Sequence, residues 1–413
     1  MHTLKQLNSG ELNGLKRLQM AESLTQFPQA IYDLADSLEI LDLSNNALTD
    51  LPDDLDRLTK LRIVFCSNNQ FSELPEVLGR CPKLEMIGFK NNQIKQVSEK
   101  ALPVQTRWLI LTDNQLTQLP DSIGRLKPLQ KLALAGNQLT ALPDSLAQCQ
   151  NLELIRLSAN QLQAFPEVLL KLPKLAWLAF SGNPFCAPRD PHEDFKTVAS
   201  QDLSLQEVLG QGASGVISKA TWIHNALGLP NEVAVKVFKG EVTSDGYPED
   251  ELDACLATGS HTNLVKPLAK INEVDQSALV MELIPENYTN LGQPPSLVSC
   301  TRDTFTQGQS FNIGQIEQIV AQMTSLLAHF AERKISHGDL YAHNVLINNE
   351  TGHILFGDFG AASKYGHLRE DIQEGIANVE LRAYHYFVKD MLSLCLEEDR
   401  HTPAYQMLQS SLA

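Results

Sequence analysis

Positive charge is the first shortage in this sequence. Its 413 residues include 33 Lys and Arg against 49 Asp and Glu, a formal net charge of -16. Binding duplex nucleic acid requires clustered cations to neutralise phosphates, so this composition argues against such a partner. It also argues against adhesion to anionic membranes. Long apolar runs are missing too. No stretch approaches the ~20 residues of a membrane span, and the polar segment Met1 to Leu15 has no apolar core of a secretory signal. Cysteine is sparse: seven residues, an odd number, with no C-x-x-C pair. That speaks against a disulfide framework or a zinc site and suits a reducing, cytoplasmic location. What remains is a globular composition, 43% hydrophobic and 20% charged, long enough for two or three domains.

The first half is periodic. The frame L-x-x-L-x-L-x-x-N-x-L-x-x-L-P recurs, with its Asn at Asn46, Asn69, Asn92, Asn114, Asn137, Asn160 and Asn183. A closing Pro recurs at Pro52, Pro75, Pro120, Pro143 and Pro166. A single amphipathic helix is excluded, because Asn and Pro at a fixed period would break it. Each unit is a short strand plus a turn that cannot bury its Leu face alone, and stacking shares one continuous core. The pattern resembles the leucine-rich repeat family over roughly residues 15–186. About seven regular repeats are expected, after an N-terminal cap formed by the degenerate copy Leu18 to Pro28. Side chains alternate along a strand, so the residues flanking each central apolar position face the inner side of the solenoid. Ile40, Ile63, Phe65, Met86, Trp108, Ile110, Leu154 and Trp177 then form an apolar strip. A continuous exposed strip marks a binding surface, so the expected partner is a foreign protein, with this chain's own second half folded back across the strip as the alternative.

Residues 187–201 carry Pro and charge without apolar periodicity and read as a linker. From Leu203 the grammar changes. Leu209-Gly210-Gln211-Gly212-Ala213-Ser214-Gly215-Val216-Ile217 reads G-x-G-x-x-G-x-[VI], and glycines there let a backbone approach phosphates closely. A dinucleotide fingerprint would continue into a helix, but Ile217 to Trp222 has a strand pattern, so a hairpin is expected. Val233-Ala234-Val235-Lys236 follows. Fifteen residues beyond Lys236, Glu251 lies in a helical stretch, with Glu249 and Asp253 as competing anions for that ammonium. Then come His337-Gly338-Asp339-Leu340-Tyr341-Ala342-His343-Asn344-Val345-Leu346 and Phe356-Gly357-Asp358-Phe359-Gly360.

In this order the motifs resemble the eukaryotic-type protein kinase domain, over about residues 203–396. The resemblance implies an α+β two-lobed kinase-like fold for 202–413, behind an α/β leucine-rich repeat solenoid in residues 1–186. It implies ATP and Mg²⁺ as cofactors. Asp339 would accept the proton of the attacking hydroxyl, and Lys236, fixed by Glu251, would hold the α- and β-phosphates. Asn344 and Asp358 would bind the metal. The glycine loop from Leu209 to Ile217 would cover the phosphates. Met281, Glu282 and Ile284 would form the hinge, and Leu209, Ile217, Ala234 and Leu346 would sandwich the base.

The sequence departs from that family in four places. Gly338 stands where Arg usually reads a phosphorylated loop, so activation by loop phosphorylation is not expected. Tyr341 matches neither the serine/threonine nor the tyrosine pattern. The tail after Asp358 is short, without an A-P-E motif, as in a compact bacterial-type form; its helical stretch Asn378 to Leu396 puts Glu380 where Asp is usual. An insertion, Pro285 to Asn312, separates the hinge from a helix beginning near Ile313. The expected activity is a protein kinase, serine/threonine by default, acting on a protein recruited by the repeats. The alternatives are a small-molecule phosphotransferase of the aminoglycoside or fructosamine kinase type, which the H-G-D loop also resembles, and a non-catalytic scaffold.

Overall fold

The computed structural model describes every residue except Ala213, Gly240, Glu241, Val274, Asp275 and Ala413, and it leaves the side chain of Gln276 undescribed. The chain forms two compact units. One comprises Met1–Leu175 with Asn183–Phe185, the other Ala176–Gly182 with the chain from Cys186 onward.

In the first unit seven three-residue strands run parallel: β1 (Arg17–Gln19), β2 (Ile40–Asp42), β3 (Ile63–Phe65), β4 (Met86–Gly88), β5 (Trp108–Ile110), β6 (Lys131–Ala133) and β7 (Leu154–Arg156). The repeat length sets the register, so that each central residue pairs with the next: Leu18, Leu41, Val64, Ile87, Leu109, Leu132 and Ile155. All seven are fully buried, each stabilising the stack by roughly 1.5–3 kcal/mol. The ladder Asn residues close the turns. Asn69 Nδ2 donates to the carbonyls of Leu43 (3.0 Å) and Cys66 (3.1 Å), and its Oδ1 accepts from Leu48 N at 2.9 Å. One side chain thereby satisfies backbone groups of two successive coils, as buried polar groups require. Behind each of Pro28, Pro75, Pro120, Pro143 and Pro166 starts a short 3₁₀ turn. β1 shows that the degenerate first copy folds as a regular coil. Before it stands α1 (Leu4–Asn8), opened by a capping box between Thr3 and Gln6.

The apolar strip needs correction. Ile63, Met86, Leu154 and Trp177 are buried, while Ile40, Phe65, Trp108 and Ile110 are half-buried. The strip is not open along its length.

The second unit opens with β8 (Trp177–Ala179). A five-stranded antiparallel sheet follows, built from β9 (Leu203–Gln211), β10 (Gly215–Trp222), β11 (Glu232–Phe238), β12 (Pro267–Glu273) and β13 (Gln276–Glu282) in the order β12-β13-β11-β10-β9. Between β11 and β12 lies α2 (Pro248–Thr258). Beyond the sheet come β14 (Tyr288–Asn290), α3 (Ile313–Glu332), β15 (Ile335–Ser336), β16 (Val345–Asn348), β17 (Ile354–Phe356), β18 (Ser363–Lys364), α4 (Glu370–Ser393) and α5 (Pro403–Ser410). α3 starts at Ile313 as expected because Asn312 caps it, exchanging hydrogen bonds with Gln315. Its buried face, Ile316, Ile319, Val320, Met323, Leu326 and Phe330, keeps helical spacing. α4 begins eight residues before the expected Asn378, at Glu370.

The stretch read as a linker is not loose. Arg189 pairs with Asp250 at 2.5 Å, and His192 Nε2 meets Asp253 Oδ1 at 2.8 Å, both carboxylates being on α2. Lys270 Nζ donates to the carbonyls of Pro191 and His192 at 2.6 and 2.9 Å. Local sequence carries no sign of this, because the partners lie some sixty to eighty residues away.

Candidate active site

β9 and β10 form the expected hairpin, closed by Gly212 N donating to Gly215 O at 3.0 Å. The glycines do different work. A Cβ on Gly215 would lie 2.4 Å from the carbonyl of Val237, so only glycine lets β10 pack against β11 there. Around Gly210 and Gly212 there is nothing within 4 Å of such a Cβ, which leaves a cradle open above the cleft. Beneath it is a cavity of about 520 Å³, within the range of small-molecule sites.

Lys236 enters this cavity from the middle of β11, where it is paired on both sides with Ile217 and Leu279. Its ammonium is bonded to Glu251 and stands 3.6 Å from Asp358 Oδ1. Burial works against the lysine charge, but the Glu251 and Asp358 carboxylates outweigh it and raise its pKa. Burial pushes Glu251 up to about 7, with Lys236 opposing the shift. The competing anions are resolved by the helix. Glu249 is exposed, and Asp253 is taken by His192 and Lys364.

The catalytic loop is tied from within. Asn344 Nδ2 donates to Asp339 Oδ2 at 2.9 Å and to Asp339 O at 3.0 Å. Its carbonyl oxygen is then the group that can take a cation. Glu380 of α4, buried, accepts from Ser336 Oγ (2.5 Å), His337 N (3.2 Å) and Gly338 N (3.4 Å). His337 stacks on Phe356 at 4.2 Å, and its Nε2 bonds the Gly357 carbonyl at 3.1 Å. Phe359 joins that cluster against Phe330 and His337. With Phe359 inside, Asp358 turns towards Lys236 from a left-handed backbone, φ 59°, the kind of strain that functional sites hold.

Leu209, Ile217, Ala234, Met281, Glu282, Ile284 and Leu346 all line the cavity, as do Gly210, Gln211, Gly212, Ser214 and Gly215. Val216 does not; it pairs with Gln211 of β9 and Val237 of β11. Ala213 lies outside the described residues. Sequence reasoning missed His343 in the cavity wall and its partner Asp303, which comes from the 285–312 insertion. Asp303 also accepts from His343 N at 3.2 Å, and Arg302 beside it pairs with Asp390 of α4. Cys300 and Thr301 are fully buried, so this part of the insertion is packed core rather than surface decoration.

Gly338 explains itself here. Its φ is +70°, and a Cβ would lie 2.6 Å from the carbonyls of Leu178 and Ala361. No arginine fits at that point.

Residues 203–383 match the family model of protein tyrosine and serine/threonine kinases. Residues 104–162 and 127–185 match the leucine-rich repeat model, and 36–79 match a two-copy leucine-rich repeat model. The chain is similar to fibroblast growth factor receptor 1 of Xenopus laevis, 25% identical over 46% of this chain and 25% of that protein. It is similar to a putative neurotrophin receptor, LTRK 1, of Lymnaea stagnalis, 30% identical over 40% of this chain and 22% of that protein. It is also similar to cyclin-dependent kinase 11.2 of Caenorhabditis elegans, 29% identical over 33% and 20%. The chain thus spans about a quarter or less of the length of these relatives. Among solved structures, a leucine-rich repeat protein of Leptospira interrogans aligns with 24% identity and a TM-score of 0.39, covering 44% of this chain and 52% of that one. Among the described residues no helix is long and apolar enough to cross a membrane. The chain joins leucine-rich repeats to a domain of the protein tyrosine and serine/threonine kinase family.

Proposed function

We propose that this protein is an ATP-dependent protein kinase, serine/threonine by default, whose repeats hold the protein that it phosphorylates. The observation that carries the reading is the convergence of Lys236, Glu251, Asn344 and Asp358 around one cavity, with Asn344 tied to Asp339. The residues suit the implied cofactors. The open cradle at Gly210 and Gly212 leaves room for phosphates. Asn344 and the half-exposed carboxylate of Asp358 offer hard oxygen donors, and Mg²⁺ is usually held by one or two such groups together with substrate phosphates. Bound Mg²⁺ would neutralise charge on the β- and γ-phosphate oxygens. Lys236 would steady the α- and β-phosphates. Asp339 would orient the attacking hydroxyl and take its proton. The half-buried Ile40, Phe65, Trp108 and Ile110 are the part of the apolar strip left to meet a partner. A cytoplasmic location fits the free thiols.

The test is incubation with labelled Mg-ATP, alone and with cell extract. Labelled protein is expected. A labelled metabolite with unlabelled protein would favour the small-molecule reading, and no label at all would favour a scaffold. Asp339→Ala should cost at least ~100-fold in transfer while ATP binding survives, and Asp358→Ala should abolish transfer in a folded protein. Wild-type rates in both variants would reject the site.

A further inference from the structure

Trp177 has no role in the reading above, yet it is the largest fully buried side chain in the protein. Its ring stacks on two tyrosines: Tyr341 of the catalytic loop at 4.5 Å and 9°, and Tyr386 of α4 at 5.2 Å and 16°. Its Nε1 donates to the carbonyl of Leu340 at 3.1 Å. Neighbouring residues follow the same course. The carbonyl of Leu178 closes over Gly338, and Phe180 N donates to Ser363 Oγ at 3.0 Å.

These contacts complete a pattern. Glu380 holds the backbone of His337 and Gly338, immediately before Asp339. Trp177 holds Leu340 and Tyr341, immediately after it. The loop residue that must meet the substrate hydroxyl is therefore fixed from both flanks, by one helix and by one strand far away in sequence. Aromatic stacking with a hydrogen bond from the ring edge restricts both the tilt and the height of a loop. Displacement of a reacting group by about 1 Å can cost ~100-fold in rate.

We propose that Trp177 is a positioning residue of the kinase, clamping Leu340 and Tyr341 so that Asp339 is held in line. The segment Ala176–Gly182 is then part of the catalytic unit, not of the recruiting surface, although the repeat frame includes it. This rests on the kinase reading. It gives Tyr341 a purpose as the face that Trp177 stacks on, and Gly338 a purpose as the gap through which Leu178 approaches.

The test uses the full chain, with Trp177→Ala and Trp177→Phe. Phe keeps most of the stack and loses the bond to Leu340. Three readouts are taken: kcat, affinity for a non-hydrolysable ATP analogue, and hydrogen exchange of the amides of residues 338–342. In Trp177→Ala, kcat should fall ten- to a hundredfold with analogue affinity unchanged, and the loop amides should exchange faster than those of α3. Trp177→Phe should fall between wild type and Trp177→Ala. If Trp177→Ala does not fold, Trp177→Phe decides alone, by a several-fold loss of kcat at constant affinity. Wild-type kcat in a folded variant overturns the proposal, as does an equal loss of kcat and affinity. If the wild-type chain transfers no phosphate, the kinase reading has failed. Loop exchange then still decides whether Trp177 holds the loop, and unchanged protection would overturn that.

Discussion

Asp303 accepts a hydrogen bond from His343 Nδ1 at 2.6 Å. One residue lies in the insertion after the hinge, and the other stands next to Asn344 in the catalytic loop. The buried carboxylate, which also accepts from His343 N at 3.2 Å, fixes the far end of that loop. Asp303→Ala leaves two donors of His343 without their acceptor, which should destabilise the fold by about 1–3 kcal/mol. Activity should fall as well, by roughly tenfold, because Asn344 loses its support. Asp303→Asn keeps an acceptor oxygen and should recover part of both. Thermal unfolding and initial rates check this; unchanged rates in Asp303→Ala would reduce the insertion to a purely structural patch.

Glu251 and Glu249 separate the two faces of α2. Glu251 is buried against Lys236, while Glu249 is exposed. Glu251→Ala leaves a buried ammonium with Asp358 as its remaining partner at 3.6 Å, and breaking a buried pair in this way costs about 3–5 kcal/mol. Glu249→Ala should leave the unfolding midpoint where it is. Equal midpoints for the two variants would mean that the pair does not hold the helix.

The readable parts of this protein are those that local chemistry dictates. Asn69 must close a turn and Pro75 must start the next one, so the solenoid declares itself every repeat. Gly215 must let a strand pass, and Asp339 and Asn344 stand five positions apart in one loop, so the kinase motifs are equally local. Trp177 failed as a reading because its partner Leu340 lies 163 residues away. Alternation along a strand would expose Trp177, but tertiary contacts with Leu340, Tyr341 and Tyr386 bury it. The stretch at 187–201 failed in the same way: Pro and charge usually mean a free connection, but here Arg189 and His192 found carboxylates on α2. His343 gave no signal until Asp303, forty residues upstream, was placed beside it.

Regulation is where Gly338 makes its own prediction. Loop phosphorylation switches a kinase by giving a nearby arginine a phosphate to bind. In this protein the corresponding backbone has φ +70°, and the carbonyls of Leu178 and Ala361 approach so closely that no side chain can occupy the place. The stretch between Asp358 and the start of α4 at Glu370 is also short and partly fixed, with Ser363 Oγ bonded to Phe180 N and β18 paired to β15. Ordering has been supplied by packing instead of by an added charge. Phosphatase-treated protein should therefore retain its transfer rate unchanged within the scatter of the assay, with removal of phosphate verified by intact mass. The same should hold for Ser363→Ala only if the Phe180 bond is dispensable, so phosphatase treatment is the cleaner measurement. A large loss of rate on dephosphorylation would show that another cation in the unit reads a phosphate, and the packing argument would fall.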